Sequence, residues 1–90
     1  MTKILVTGAT GFLGTNITLK LLEQGFSVRA FGLEGSTTKY IEKEGVEIVF
    51  GDITIPQSIQ KAVEGVDAII HVAGDTSFWK KLFFYFQKIL

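Results

Sequence analysis

The chain has 90 residues, nine basic and nine acidic side chains and a formal net charge of zero, which makes one small domain with no overall field to draw nucleic acid. It contains no cysteine, so a disulfide framework, thiolate chemistry and a cysteine-ligated zinc site are excluded, and a cytoplasmic setting is the expectation. The apolar run at Ile4 is too short for a secretion signal, and no run is long enough to span a bilayer.

Lys3 to Thr7 predicts a buried strand, and Phe12 to Gln24 a helix stopped by Gly25. On that helix Phe12, Leu13, Ile17, Leu21 and Leu22 recur at helical spacing, which predicts one buried face. Ser27 to Phe31 reads as a second strand, Thr38 to Glu44 as a short helix ended by Gly45, and Val46 to Phe50 as a third strand. Pro56 suits the first turn of a helix running to about Glu64, with Gly65 ending it, and Asp67 to Val72 is a fourth strand. Strands and helices alternating at these intervals predict an α/β fold of Rossmann type: a partial parallel sheet of about four strands in order 3-2-1-4, flanked by helices. The whole chain then reads as the N-terminal part of a dinucleotide-binding domain.

Phe78 to Leu90 reads as a final helix, apolar over most of its surface, with a narrow polar stripe of Lys80, Lys81, Gln87 and Lys88. Such a helix packs deep inside a larger protein or against a partner, including a second copy of the chain; a basic amphipathic helix on a membrane surface is the competing reading. Asp75 is the last acid, so the positive charge of this end leaves the rest net acidic.

The most informative stretch is Thr7-Gly-Ala-Thr-Gly-Phe-Leu-Gly14, in which glycines at 8, 11 and 14 lie between the first strand and the first helix. Gly8 lets the chain leave the strand through a turn that a Cβ would obstruct, Gly11 allows the backbone to approach a phosphate, and Gly14 allows the helix to pack closely on the strand. The unsatisfied N–H groups of the helix start and the positive end of its dipole favour an anion at this turn. A strand-to-helix turn that is glycine-rich for packing alone has the same composition, but the flanking strand, helix and following strand favour the anion site. No Gly-Lys-Ser/Thr ending follows, which excludes a nucleoside-triphosphate loop.

This Gly-x-x-Gly-x-x-Gly spacing resembles the cofactor fingerprint of the extended and atypical short-chain dehydrogenase/reductases, the NAD-dependent epimerase/dehydratase group. Gly74-Asp-Thr-Ser-Phe-Trp79 is similar to the dihydroflavonol-reductase-like members. The resemblance implies a dinucleotide partner, NAD or NADP, and a cofactor-binding set made of Gly8, Thr10, Gly11, Phe12, Leu13 and Gly14. It adds Asp52 and Ile53 after the third strand and Ala73 and Gly74 after the fourth. Asp52, in Gly51-Asp52-Ile53, is implied to accept a hydrogen from the adenine amino group; an aspartate there also serves as a loop or helix cap. Ala73 and Gly74 are small enough to leave room for cofactor at the sheet edge.

The ribose-reading residue belongs at the tip of the second strand, where an acid selects NAD and an arginine NADP. That tip is Phe31-Gly32-Leu33, and the nearest acid, Glu34, stands one or two residues too far along. This leaves the phosphate state of the cofactor open. His71 is the only histidine; it sits in an apolar strand without an acid placed to orient it, which favours a packed or strand-end role over a general base. Thr76 and Ser77 are within reach of a ribose or nicotinamide, or begin the next helix.

Family chemistry uses a tyrosine four residues before a lysine, with a serine or threonine nearby. Tyr40 is followed at that offset by Glu44 and Tyr85 by Ile89, so these 90 residues contain no such pair. The expectation is a nucleotide-binding portion of a reductase or epimerase acting on a small-molecule carbonyl or alcohol, itself inactive and without a metal site. A non-catalytic redox-sensor or interaction module and a truncated, non-functional reading frame are the alternatives.

Overall fold

The computed structural model describes residues 2–72. Within them the elements run β1 (Lys3–Thr7), α1 (Phe12–Glu23), β2 (Ser27–Gly32), β3 (Val46–Phe50), α2 (Pro56–Val63) and β4 (Ala68–His71). The strands form one parallel sheet in the order β3-β2-β1-β4, the expected arrangement. β1 pairs with β2 from Lys3↔Ser27 to Thr7↔Phe31 and with β4 from Ile4↔Ala68 to Thr7↔His71. All strands therefore end on the same carboxyl edge.

β1 lies between β2 and β4, and its burial on both sides explains its unbroken apolar run. Leu5 joins Phe31, Ile59, Ala62 and Val63 in a core against α2, while Ile4, Val6, Ala9, Val28, Ala30 and Ile41 form a second core, with Ile17, Leu21 and Leu22 of α1 packed against it. Alternate strand residues thus serve opposite layers, as a two-residue strand period requires.

Two local expectations fail. Residues 38–44 form a turn rather than a helix: the Ile41 N–H donates to the Thr38 carbonyl at 2.9 Å, the Lys43 N–H to the Ile41 carbonyl at 2.8 Å, and the Thr38 hydroxyl to Glu42 Oε1 at 2.6 Å. Seven residues before a glycine are too few to offset helix nucleation, and burying Ile41, 1 % exposed, holds the segment to the sheet instead. The buried face of α1 also begins later than its apolar spacing suggests. Phe12 and Leu13 are 88 % and 59 % exposed, whereas Gly14 and Thr18 are buried. The small side of the helix faces the sheet because close approach of helix and strand admits only small residues at that crossing.

α2 begins with Ile55 as its N-cap, without a side-chain cap bond, and with Pro56 in its first turn. Its other end is held by an arginine that sequence reading passed over. Arg29 of β2 is buried; its Nη1 donates to the carbonyls of Ala62 at 2.8 Å and Glu64 at 2.5 Å, and its Nε donates to Glu47 Oε1 at 2.9 Å. One guanidinium thus satisfies carbonyls at the end of the helix and fixes β2, β3 and α2 together. Lys3 Nζ reaches the same Glu47 oxygen at 3.3 Å. The predicted helix over 78–90 lies outside the described residues.

Candidate functional site

The glycine turn is built as its sequence requires. Gly8 has φ +66°, a left-handed conformation that lets β1 turn sharply at its carboxyl end. The Gly11 N–H donates to the Gly8 carbonyl at 3.2 Å, and the Ala9 N–H donates to the Phe31 carbonyl at 3.3 Å. Gly11 is the N-cap of α1, no side chain caps that end, and the first turn has no acid. The first intrahelical bond runs from the Thr15 N–H to the Gly11 carbonyl at 2.9 Å. The N–H groups of Phe12, Leu13 and Gly14 precede it, and intrahelical bonding does not use them. An anion is the natural complement of this helix end.

Gly14 has a steric reason of its own. A Cβ added to it would overlap the Gly8 carbonyl oxygen and lie 2.7 Å from the Gly8 carbonyl carbon and 2.8 Å from the Ala9 Cα. Gly11 differs: an added Cβ would meet only the Gly8 oxygen, at an ordinary 3.5 Å. The fold itself therefore demands glycine at 14 and tolerates a side chain at 11.

At the carboxyl edge a cavity of about 400 Å³ is lined by Gly8 and Thr10 from the turn, by Phe31, Gly32, Leu33 and Ser36 around the end of β2, and by Asp52, Ile53 and Thr54 after β3. A second cavity of about 480 Å³ shares Thr10 with it and continues along Gly11, Phe12, Thr15, Asn16, Leu19, Thr37 and Tyr40. Among the described residues Asp52 is the only charged one lining either. Its Oδ1 accepts from the Thr54 N–H at 2.8 Å and the Thr54 hydroxyl at 2.6 Å, while its own N–H donates to Ser58 Oγ at 3.3 Å. The loop after β3 is thereby fixed in a turn that presents the carboxylate to the cavity.

Of the residues expected in the site, Gly8, Thr10, Asp52 and Ile53 line the first cavity and Gly11 and Phe12 the second. Gly14 acts from beneath, by packing, and Leu13 stands exposed in the first turn. Glu34 is exposed and lines neither cavity. Ala73, Gly74, Thr76 and Ser77 lie outside the described residues. Ser36 and Thr54 were not anticipated; their signal was the position of each just after a strand's carboxyl end. His71 closes β4 beside Thr7, with Thr7 Oγ1 and His71 Nδ1 2.6 Å apart, and the same hydroxyl accepts from the Val72 N–H at 3.2 Å. It is a strand-end histidine that helps join β4 to β1. No cluster of potential metal ligands occurs among the described residues, and no helix among them is long and apolar enough to cross a membrane.

Comparison with known proteins agrees with this geometry. Residues 4–83 match the model of the NAD dependent epimerase/dehydratase family. The chain is 42 % identical over 73 residues to sterol demethylase protein B of Methylococcus capsulatus, covering 81 % of this chain and 22 % of that protein. It is 38 % identical over 76 residues to a 2-alkyl-3-oxoalkanoate reductase of Shewanella oneidensis, covering 82 % and 19 %. The fold superposes with a TM-score of 0.70 on uronate dehydrogenase from Agrobacterium tumefaciens, solved in complex with NAD, at 28 % identity over 84 % of this chain and 28 % of that one. The chain thus spans about a fifth of the length of these curated relatives. With its glycine turn, parallel sheet and carboxyl-edge cleft, the chain belongs to the NAD-dependent epimerase/dehydratase family.

Proposed function

We propose that this chain is the NAD(P)-binding portion of an oxidoreductase or epimerase that acts on a small-molecule carbonyl or alcohol. The observation that carries the reading is the β1–turn–α1 junction: an N-terminus without a side-chain cap or first-turn acid, a left-handed Gly8, and a Gly11 whose missing side chain the fold does not require. A pyrophosphate fits this set. Its negative charge complements the helix end, and its oxygens take the N–H groups that the first turn leaves over.

Each residue has a binding task in this reading. The turn backbone holds the pyrophosphate, Gly14 sets the helix close enough for that N-terminus to face it, and Asp52, fixed by Thr54, accepts a hydrogen from the adenine amino group. Bound NAD(P) would supply hydride transfer. The proton-moving tyrosine and lysine of the family's chemistry have no counterpart at the required spacing in these 90 residues, so the chain alone holds cofactor without turning over substrate.

Titration of the purified chain with NADH and NADPH, followed by nicotinamide fluorescence and calorimetry, tests this. Saturable binding of at least one dinucleotide and no reduction of carbonyl substrates is the expected result; turnover by the 90-residue chain, or no binding at all, would refute it.

A further inference from the structure

The end of β2 carries a second consequence for the same cleft. We infer that Thr10 and Gly32 together keep a carboxylate off the ribose end of the site, so that it accepts 2′-phosphorylated and unphosphorylated dinucleotides about equally well; this rests on the nucleotide-binding reading above.

In folds of this architecture the tip of the second strand reads the adenosine ribose, and an acid there bonds the 2′-hydroxyl and repels a 2′-phosphate. Here β2 ends at Gly32, which is buried and lines the cavity with Gly8 and Thr10. A Cβ on Gly32 would stand 2.8 Å from Thr10 Cγ2 and 3.2 Å from Thr10 Oγ1. With the Thr10 side chain in this position, an aspartate at 32 would have to displace it.

The following residues do not supply the missing charge. Leu33 is 61 % exposed and Gly35 turns the chain at φ +89°. The Ser36 N–H closes this turn on the Leu33 carbonyl at 3.0 Å, and the turn carries Glu34 outside the lining. Among the described residues, the polar side chains left at this end are the hydroxyls of Thr10 and Ser36. A hydroxyl donates to a ribose oxygen or to a phosphate oxygen without distinguishing their charge. Asp52, the one carboxylate lining the cavity among the described residues, comes from the loop after β3, on the adenine side, and is engaged with Thr54. The second cavity shares Thr10 as a lining residue and has Thr15, Asn16 and Thr37 on its walls. That space and those neutral donors accommodate a phosphate, and no cationic side chain among the described residues lines either cavity to demand one.

The full chain is titrated in parallel with NAD and NADP at one ionic strength. Dissociation constants within about tenfold of each other are expected; a larger preference in either direction overturns the inference, while failure to bind either overturns the nucleotide-binding reading with it. In the double variant Thr10→Ala/Gly32→Asp, NADP should weaken at least about tenfold relative to NAD. Ser36→Asp, which places a carboxylate at the same rim without moving Thr10, should shift the ratio in the same direction. If folding, checked by circular dichroism, is retained and neither variant moves the ratio, these positions do not read the ribose.

Discussion

The Cα of Gly14 lies against the Gly8 carbonyl so closely that a methyl group at 14 would overlap the carbonyl oxygen and sit 2.7 Å from its carbon. The obstacle is the backbone of Gly8 and Ala9 in the turn after β1, and backbone cannot yield by a rotamer change. Gly14→Ala should therefore destabilise the chain by on the order of 3 kcal/mol despite alanine's better helix propensity. Urea unfolding followed by far-ultraviolet circular dichroism measures it, and a variant as stable as the parent would show that helix and strand have freedom to separate.

Gly11→Val should behave in the opposite way. Gly11 has φ −78° and ψ 174°, which valine adopts without strain, and its added Cβ meets one atom at 3.5 Å. Stability should stay within about 1 kcal/mol of the parent, yet dinucleotide binding should be lost, because the branched side chain takes the place of the phosphate. Unchanged titration curves would remove the turn from the site.

The contrast between these two glycines marks how far the sequence could be read. The strand-turn-helix order, the parallel sheet and its 3-2-1-4 order followed from apolar runs punctuated by glycine, because strands buried on both faces leave a strong pattern. The burial of α1 was read too early along the helix: Phe12 and Leu13 obey the helical period, but the close crossing selects for small residues, and Gly14 and Thr18 carry no hydropathy signal. Residues 38–44 have helical composition, whereas Ile41 is held by a tertiary contact that local pattern does not encode. The place of Asp52 at the cavity was legible because it stands two residues past the end of β3. The crowding at the end of β2 was not, since it lies in the closeness of Thr10 to Gly32, 22 positions apart in the numbering. Arg29 escaped notice for the same reason, its partners lying on β3 and at the end of α2.

Thr18 offers a test of the α1 packing. It is fully buried against the sheet, and its hydroxyl has no hydrogen-bond partner among the described residues. A buried hydroxyl without a partner retains its desolvation cost, and valine fills nearly the same volume. Thr18→Val should raise stability by about 1 kcal/mol, seen as a higher urea midpoint with an unchanged slope. A loss of stability would mean that the hydroxyl finds a partner in solution.

Arg29 and Glu47 predict how stability depends on pH. Arg29→Ala removes the donor to the Ala62 and Glu64 carbonyls and the partner of Glu47, so a loss of about 2–4 kcal/mol is expected. The hydrogen bond from Arg29, aided by that from Lys3, holds the Glu47 carboxyl below its ordinary value of 4.5, against a smaller opposing effect of burial. A carboxylate whose folded pKa is lowered binds fewer protons folded than unfolded. Its contribution is therefore present above the unfolded pKa and is lost as pH falls through the folded one. Stability should decline as the solution is acidified below pH 4.5, and in Glu47→Gln this part of the decline should vanish, so that parent and variant converge in acid. Unfolding midpoints measured at closely spaced pH values decide the point: parallel curves for the two proteins would show that Glu47 keeps its ordinary affinity for a proton and that Arg29 acts through the helix carbonyls alone.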